Sequence, residues 1–289
     1  MSPSPISPDI IGGNEKFLLY GDPGVGKTHC ALTAPPPIYY VSVSGPDEVQ
    51  TYYSKYFQEK YGERLPEKDL LVDYTKTSFS WGLGEGTQFD QVKQMIETTM
   101  EMEEKGEIPV SSTIVIDNMT TLTEQQVSKA IVLSDQVSQS EKASTREKYE
   151  ATGVLQVADF ELKDVMNMMA KFLSELFTLD KNIVIVAHEW EQTITNRKTK
   201  QSDVIAIKPL FIGKQRDLIA NLFSNVWRIY PVGAVSSAAR TVSQEQNPNI
   251  IAKTRVGGVV SRDYMDPDLS SAIGKFKKHA EEMSKKSKK

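Results

Sequence analysis

Eight consecutive residues constrain this chain more than anything else in it. Gly21-Asp22-Pro23-Gly24-Val25-Gly26-Lys27-Thr28 matches G-x-x-x-x-G-K-[S/T], and it stands where such a loop must stand. The apolar run Lys16–Tyr20 before it predicts a short buried strand. The residues after it predict a helix to about Thr33, stopped by Ala34-Pro35-Pro36-Pro37. Glycines let backbone N–H groups turn inward and cradle phosphate oxygens, and the start of the helix adds the positive end of its dipole. Lys27 then reaches the β and γ phosphates, and Thr28 offers its hydroxyl to Mg²⁺. The expected ligand is a nucleoside triphosphate, ATP with Mg²⁺, held by Gly21, Asp22, Pro23, Gly24, Val25, Gly26, Lys27 and Thr28, with His29 closing the cradle.

Periodicity organises the rest. Ile38–Val43, Leu70–Tyr74, Thr113–Ile116 and Ile183–Ala187 read as strands. Asp47–Tyr61, Phe89–Lys105, about Val157–Leu179 and Leu218–Leu222 read as helices. In the long one, Leu162, Val165, Met166, Met169, Phe172, Leu173 and Leu176 form a buried stripe, so its methionines are core packing. Val226–Tyr230, Ala239–Val242 and Ile250–Lys253 predict further strands, partly antiparallel, and Asp266–Met283 a last helix running into lysines. Ser78–Thr87 is a Gly-rich loop around Trp81, and Ser134–Glu150 a polar connection. Strands alternating with helices predict an α/β fold, a mainly parallel sheet flanked by helices with C-terminal antiparallel strands. The expected division is a disordered Ser/Pro lead-in over 1–13, the main domain over 14–262, and a C-terminal helix with a basic tail over 263–289.

Composition narrows the setting. With 39% hydrophobic and 25% charged residues the chain can build a core. No stretch approaches the roughly 18 apolar residues of a membrane span, and MSPSPISPD lacks the features of a secretory signal. The single cysteine, Cys30, forms no internal disulfide and fits a reducing, cytoplasmic home; it is expected to pack on the inner face of its helix. Net charge is -4, but it is unevenly spread. Glu191–Arg216 holds six basic residues (Arg197, Lys198, Lys200, Lys208, Lys214, Arg216) against two acids, and Lys275–Lys289 seven lysines against two glutamates. An acidic body with two basic segments can direct an anionic polymer to particular places.

A second element completes the nucleotide site. The apolar strand Thr113–Ile116 ends in Asp117, which a phosphate loop upstream places beside the metal, where it holds a Mg²⁺-bound water. Asn118 is then a helix cap or a support for Asp117.

Four segments, LLYGDPGVGKTHCALTAPPP, TIVIDNMTTLT, NIVIVAHEWEQ and IIAKTRVGG, resemble in order the motifs of phage-encoded RecA-like P-loop nucleotide-binding proteins. This AAA-type group includes the Sak-type single-strand-annealing recombination ATPases. The resemblance covers about Lys16–Gly258. It implies a RecA-like P-loop NTPase core, ATP hydrolysis linked to DNA, and assembly into rings or filaments. By the same resemblance His188, after its strand, is a sensor of the γ-phosphate. Lys253 and Arg255, two residues apart and so on one face of a strand, are cations carried to a neighbour's ATP. The family's water-positioning glutamate falls where this chain has Ser44, which leaves Glu48, with Asp47 beside it, as the substitute and implies slow hydrolysis if neither serves.

The leading expectation is therefore an ATPase acting on single-stranded DNA in phage recombination or replication, by annealing or strand exchange. Arg197, Lys198, Lys200 and Lys208 form its DNA loop, with Trp190 and Phe211 at the margins either pinning the loop or stacking on bases. Expected partners are single-stranded DNA, further copies of the chain and a single-stranded-DNA-binding protein. Two alternatives stand: a nucleotide-gated assembly or helicase-loading factor with little hydrolysis, which Ser44 favours, and a P-loop small-molecule kinase, which needs neither Lys253, Arg255 nor an oligomer.

Overall fold

The computed structural model describes residues 13–43, 45–75, 88–133, 159–195, 202–211, 216–231, 240–243, 250–254, 263–265 and 267–287. Six parallel strands form the heart of one sheet: β1 (Lys16–Gly21), β2 (Ile38–Ser42), β3 (Leu70–Tyr74), β4 (Thr113–Asp117), β5 (Asn182–Thr195) and β7 (Asn225–Pro231), in the order β7-β1-β5-β4-β2-β3. At the β7 edge, β8 (Arg240–Ser243) and β9 (Lys253–Thr254) pair antiparallel with β7, and β10 (Asp263–Met265) pairs antiparallel with β8. The fold class is that expected: a mainly parallel sheet flanked by helices, with antiparallel C-terminal strands.

Both faces are covered, which is why the central strands are apolar at every position rather than alternately. Leu18 and Tyr20 of β1 face a layer made by α3 (Gln88–Glu104), α4 (Met119–Leu133), α5 (Asp159–Leu176) and α6 (Arg216–Leu222). Within it Val165, Met166, Met169, Phe172, Leu173 and Leu176 are buried along one stripe of α5; the side chain of Leu162 lies outside the described residues. Phe17 and Leu19 face the opposite layer of α1 (Lys27–Ala31), α2 (Lys55–Tyr61) and α7 (Leu269–Ser287). Cys30 is buried there. The segment 263–289 divided off in sequence contributes β10 to the sheet, and Leu269, Ile273 and Phe276 of α7 to this core.

Three expectations need correction. Asp47–Tyr61 is not one helix but a 3₁₀ segment, Pro46–Tyr53, and α2, broken at Ser54, whose extended backbone and Oγ cap the N–H of Phe57. Serine at a cap satisfies an N–H that the helix cannot, so the break is stable. The strand predicted to stop at Ala187 continues to Thr195 and folds back on β6 (Ser202–Pro209) as an antiparallel hairpin. The expected strand Ile250–Lys253 is only a bridge at Ile250 and the two-residue β9. The lead-in 1–12, the loop 78–87 and the connection 134–150 lie outside the described residues.

Candidate nucleotide site

The loop between β1 and α1 has the backbone its glycines allow. Gly24 and Gly26 take φ of 79° and 94°, a region that side chains disfavour. Gly21 lies against β7 so closely that a Cβ would sit 2.2 Å from the Ile229 carbonyl oxygen. Lys27, 7% exposed, donates from Nζ to the carbonyls of Gly21 at 3.0 Å and Asp22 at 2.7 Å, folding over its own loop. Burial lowers its pKa, opposed by the carboxylates of Asp117, Asp22, Glu189 and Glu48, so four acids surround one ammonium. Asp22, Pro23 and Gly24 are exposed at the rim, with Val25 half-buried behind them. His29 differs from its expected place in the cradle: its ring packs among Tyr56, Phe57 and Tyr61 at 5.3–5.5 Å. An imidazole held in aromatic packing leaves only backbone to a phosphate.

The strand order brings two further strand ends to this loop. β4 delivers Asp117, whose Oδ2 accepts from Thr28 Oγ1 at 2.7 Å and from the Tyr40 hydroxyl at 2.7 Å. Burial raises the Asp117 pKa against the pull of those two donors and of Lys27. Burial and the same carboxylate push the Tyr40 phenol well above its ordinary value, so it stays protonated and remains a donor. A threonine hydroxyl and a carboxylate in contact behind a phosphate loop form a hard oxygen donor pair, which suits Mg²⁺. Glu48 lies beside them, accepting from Ser42 Oγ at 3.0 Å and Asn118 Nδ2 at 3.4 Å. Asn118 also caps α4, its Oδ1 accepting from Thr121 N at 2.7 Å.

β5 runs between β1 and β4 and sets His188 in register with Gly21. Burial and the Lys27 charge lower its pKa, opposed by Asp22, which keeps the ring neutral near pH 7. Its Nδ1 is buried with no hydrogen-bond partner among the described residues. A neutral imidazole facing the loop with an unsatisfied nitrogen is a group suited to report on what the loop holds.

The other expected residues fall elsewhere. Lys253 pairs in register with Val226 and donates to the Asn221 carbonyl at 3.0 Å. It lies level with Leu18 rather than Gly21, so about 10 Å below the loop at roughly 3.3 Å per residue, and does not enter this chain's own site. Arg255 and Ser44 lie outside the described residues, as do Arg197, Lys198 and Lys200, which the chain places between β5 and β6. Lys208 is half-buried on β6 opposite Trp190. Phe211 is fully buried in the core and is not free to stack on a base, which corrects that expectation; a ring this size gains more from the core than from a surface loop.

Sequence reasoning missed three residues at the site, Tyr40, Glu189 and Arg228, and one outside it, Thr120. Tyr40 read as a core strand residue, although a buried phenol needs a hydrogen-bond partner. Glu189 and Arg228 form a two-fold ion pair at 2.9 and 3.1 Å beside the loop, and no local pattern joins residues from β5 and β7. Thr120, in the first turn of α4, contacts the base of the hairpin.

Fold and site together define a P-loop nucleoside-triphosphate-binding protein built on a mainly parallel sheet. The chain belongs to the AAA domain family, which matches residues 13–256. No curated protein sequence matches it. Among solved structures it is similar to the flagellar accessory protein FlaH of Methanocaldococcus jannaschii, with 12% identity, 91% of this chain and 92% of that one covered, and a TM-score of 0.45. It is also similar to a KaiC-like protein, PH0186, of Pyrococcus horikoshii OT3, with 12% identity, 88% and 85% covered, and a TM-score of 0.43. Among the described residues no helix is long and apolar enough to cross a membrane.

Proposed function

We propose that the chain is a Mg²⁺-dependent ATPase that works on single-stranded DNA in phage recombination or replication. The hydrolytic half rests on the cluster Lys27, Thr28, Asp117 and Glu48. Lys27 leaves its two carbonyls to meet the γ-phosphate and stabilise charge there as the bond to the leaving oxygen breaks. Thr28 and Asp117 would hold a divalent cation, which would supply neutralisation of charge on the phosphate oxygens. Glu48 orients a water in line and takes up its proton. Tyr40 keeps the Asp117 carboxylate in place. Lys253 and Arg255 act on a neighbouring copy's nucleotide, which requires a ring or filament. The resemblance of the four sequence motifs supports the phage setting.

The observation that carries the DNA half is the continuity of β5. One unbroken strand passes from the parallel sheet through His188 into the hairpin with β6. Its connection contains Arg197, Lys198 and Lys200. A change felt at His188 is thereby delivered to a basic element without an intervening loop.

A second reading is a nucleotide-gated assembly or loading factor that barely turns over. Ser44 favours it, because the acid expected there is missing and Glu48 already accepts two hydrogen bonds. Phosphate release measured with and without single-stranded DNA separates the two. Stimulation by DNA is the expected result. Tight ATP binding with negligible release under both conditions would replace the ATPase with the loading factor.

A further inference from the structure

Thr120 is 3% exposed, so every polar atom it carries needs a protein partner. Its hydroxyl uses both of its capacities. Oγ1 accepts from the His188 N–H at 2.9 Å and donates to the Leu210 carbonyl at 3.1 Å. The Leu210 N–H in turn donates to the His188 carbonyl at 2.7 Å. These three bonds close a ring through the two ends of the hairpin, where β5 leaves the parallel sheet and where the chain returns after β6.

The side chain closing that ring belongs to the nucleotide site's own helix. Thr120 follows Asp117 by three residues, in the first turn of α4, and the helix start is held by the Asn118 cap whose amide also reaches Glu48. Backbone bonds alone would tie the hairpin ends to each other. The β4–β5 ladder joins β5 to the Asp117 strand as far as Ile116 and Ile185; the Thr120 hydroxyl reaches both hairpin ends from the turn that follows Asp117.

The geometry points to Thr120 as the positioning residue that couples nucleotide occupancy to the β5–β6 hairpin: it holds the His188 backbone and transmits displacement of the Asp117–Thr120 turn to both hairpin ends. This inference rests on the nucleotide-site reading above. It does not rest on what the hairpin binds.

The test uses Trp190, two residues beyond His188 on the hairpin, as reporter. The full chain is labelled with 5-fluorotryptophan, and the Trp190 fluorine resonance is identified by Trp190→Phe. Spectra are taken with and without a saturating slowly hydrolysed ATP analogue and Mg²⁺, and affinity is measured by titration. Thr120→Val fills the same volume without either hydrogen bond, and Thr120→Ser retains both. The expected result is a nucleotide-dependent displacement of the Trp190 resonance in the parent and in Thr120→Ser. In Thr120→Val it falls by more than half, while affinity stays within about threefold, since no contact to the loop is lost. Should Thr120→Val fail to fold, Thr120→Cys, similar in size and a poor hydrogen-bonding group, is read by the same criteria. A full displacement in Thr120→Val or Thr120→Cys at saturation, or a parent resonance that does not move although nucleotide binds, overturns the coupling. Absence of binding in the parent titration overturns the nucleotide-site reading first, and the coupling with it.

Discussion

At the residue scale, two side chains carry opposite electrostatic problems. Lys27 keeps its charge in a buried place by donating to two carbonyls and by the field of four carboxylates. Its hydrogen bonds go to carbonyls of its own loop rather than to another element. Lys27→Ala should therefore leave the circular dichroism spectrum and unfolding midpoint close to the parent's. Nucleotide affinity should fall by about one to two orders of magnitude, the worth of a charge-assisted hydrogen bond to phosphate. Calorimetric titration checks this, and an unchanged affinity in a folded variant removes the site. His188 has the reverse problem, being held neutral by burial beside a cation. Its folded pKa lies below the ordinary 6.5, so the unfolded chain takes up a proton first as pH falls. The stability associated with the neutral ring is complete above 6.5 and is lost as pH drops through the folded value. Urea unfolding should show a midpoint that falls between pH 7.5 and pH 5.5 more in the parent than in His188→Gln. Equal falls would mean that His188 is not the titrating group.

At the element scale the β5–β6 hairpin is the least self-sufficient part of the described fold. Ala206 and Ile207 of β6 pack toward the core, but Ile194 and Val204 are 57% and 45% exposed on it. An isolated hairpin is marginal in water, and this one is anchored where it joins the sheet and Thr120. Its chemistry for a partner lies in Arg197, Lys198 and Lys200. Changing these three to alanine should weaken single-stranded DNA binding and flatten its salt dependence. Each lost phosphate contact removes about 0.7 from the slope, so about 2 for three contacts. Removal of Lys285–Lys289 is the comparison and should have the smaller effect, because α7 is committed to the opposite face of the sheet. Fluorescence anisotropy over a range of salt reads both. An unchanged slope in the triple variant would make the hairpin a surface feature only.

At the scale of the whole molecule, two cations that the described residues bring toward the site, besides Lys27, are engaged with groups of their own. Lys253 is occupied low on the sheet edge, and Arg228 is committed to Glu189. On the reading proposed above, a neighbouring copy supplies a further cation through Arg255. Arg255→Ala should then bind ATP nearly normally and lose turnover by as much as about 10³-fold, the scale of an arginine finger. Two inactive variants decide whether it acts within a chain or between chains. Lys27→Ala has no working loop but keeps Arg255, and Arg255→Ala is the reverse. A mixture should regain part of the activity, because some interfaces then join an intact loop to an intact finger. No recovery, with exchange of subunits shown independently, would confine Arg255 to its own chain.

The phosphate loop could be read from Gly21–Thr28 because its chemistry is local: eight adjacent residues make the turn, the cradle and the reaching lysine. Asp117 was legible only with that loop upstream, since an apolar strand ending in a carboxylate is common in itself. The two-faced burial of β1, β4 and β5 followed from unbroken apolar runs. What the sequence could not decide was which strand ends meet. The order β7-β1-β5-β4-β2-β3 places Gly21, His188, Asp117 and Glu48 together from four elements, and hydrogen bonds between remote residues leave no periodic trace. Tyr40 on Asp117, Arg228 on Glu189 and Thr120 across the hairpin ends are all of that kind. His29 and Phe211 show the converse. Their positions beside functional segments suggested ligand contacts, but the free energy of burying an aromatic ring assigned them to the interior.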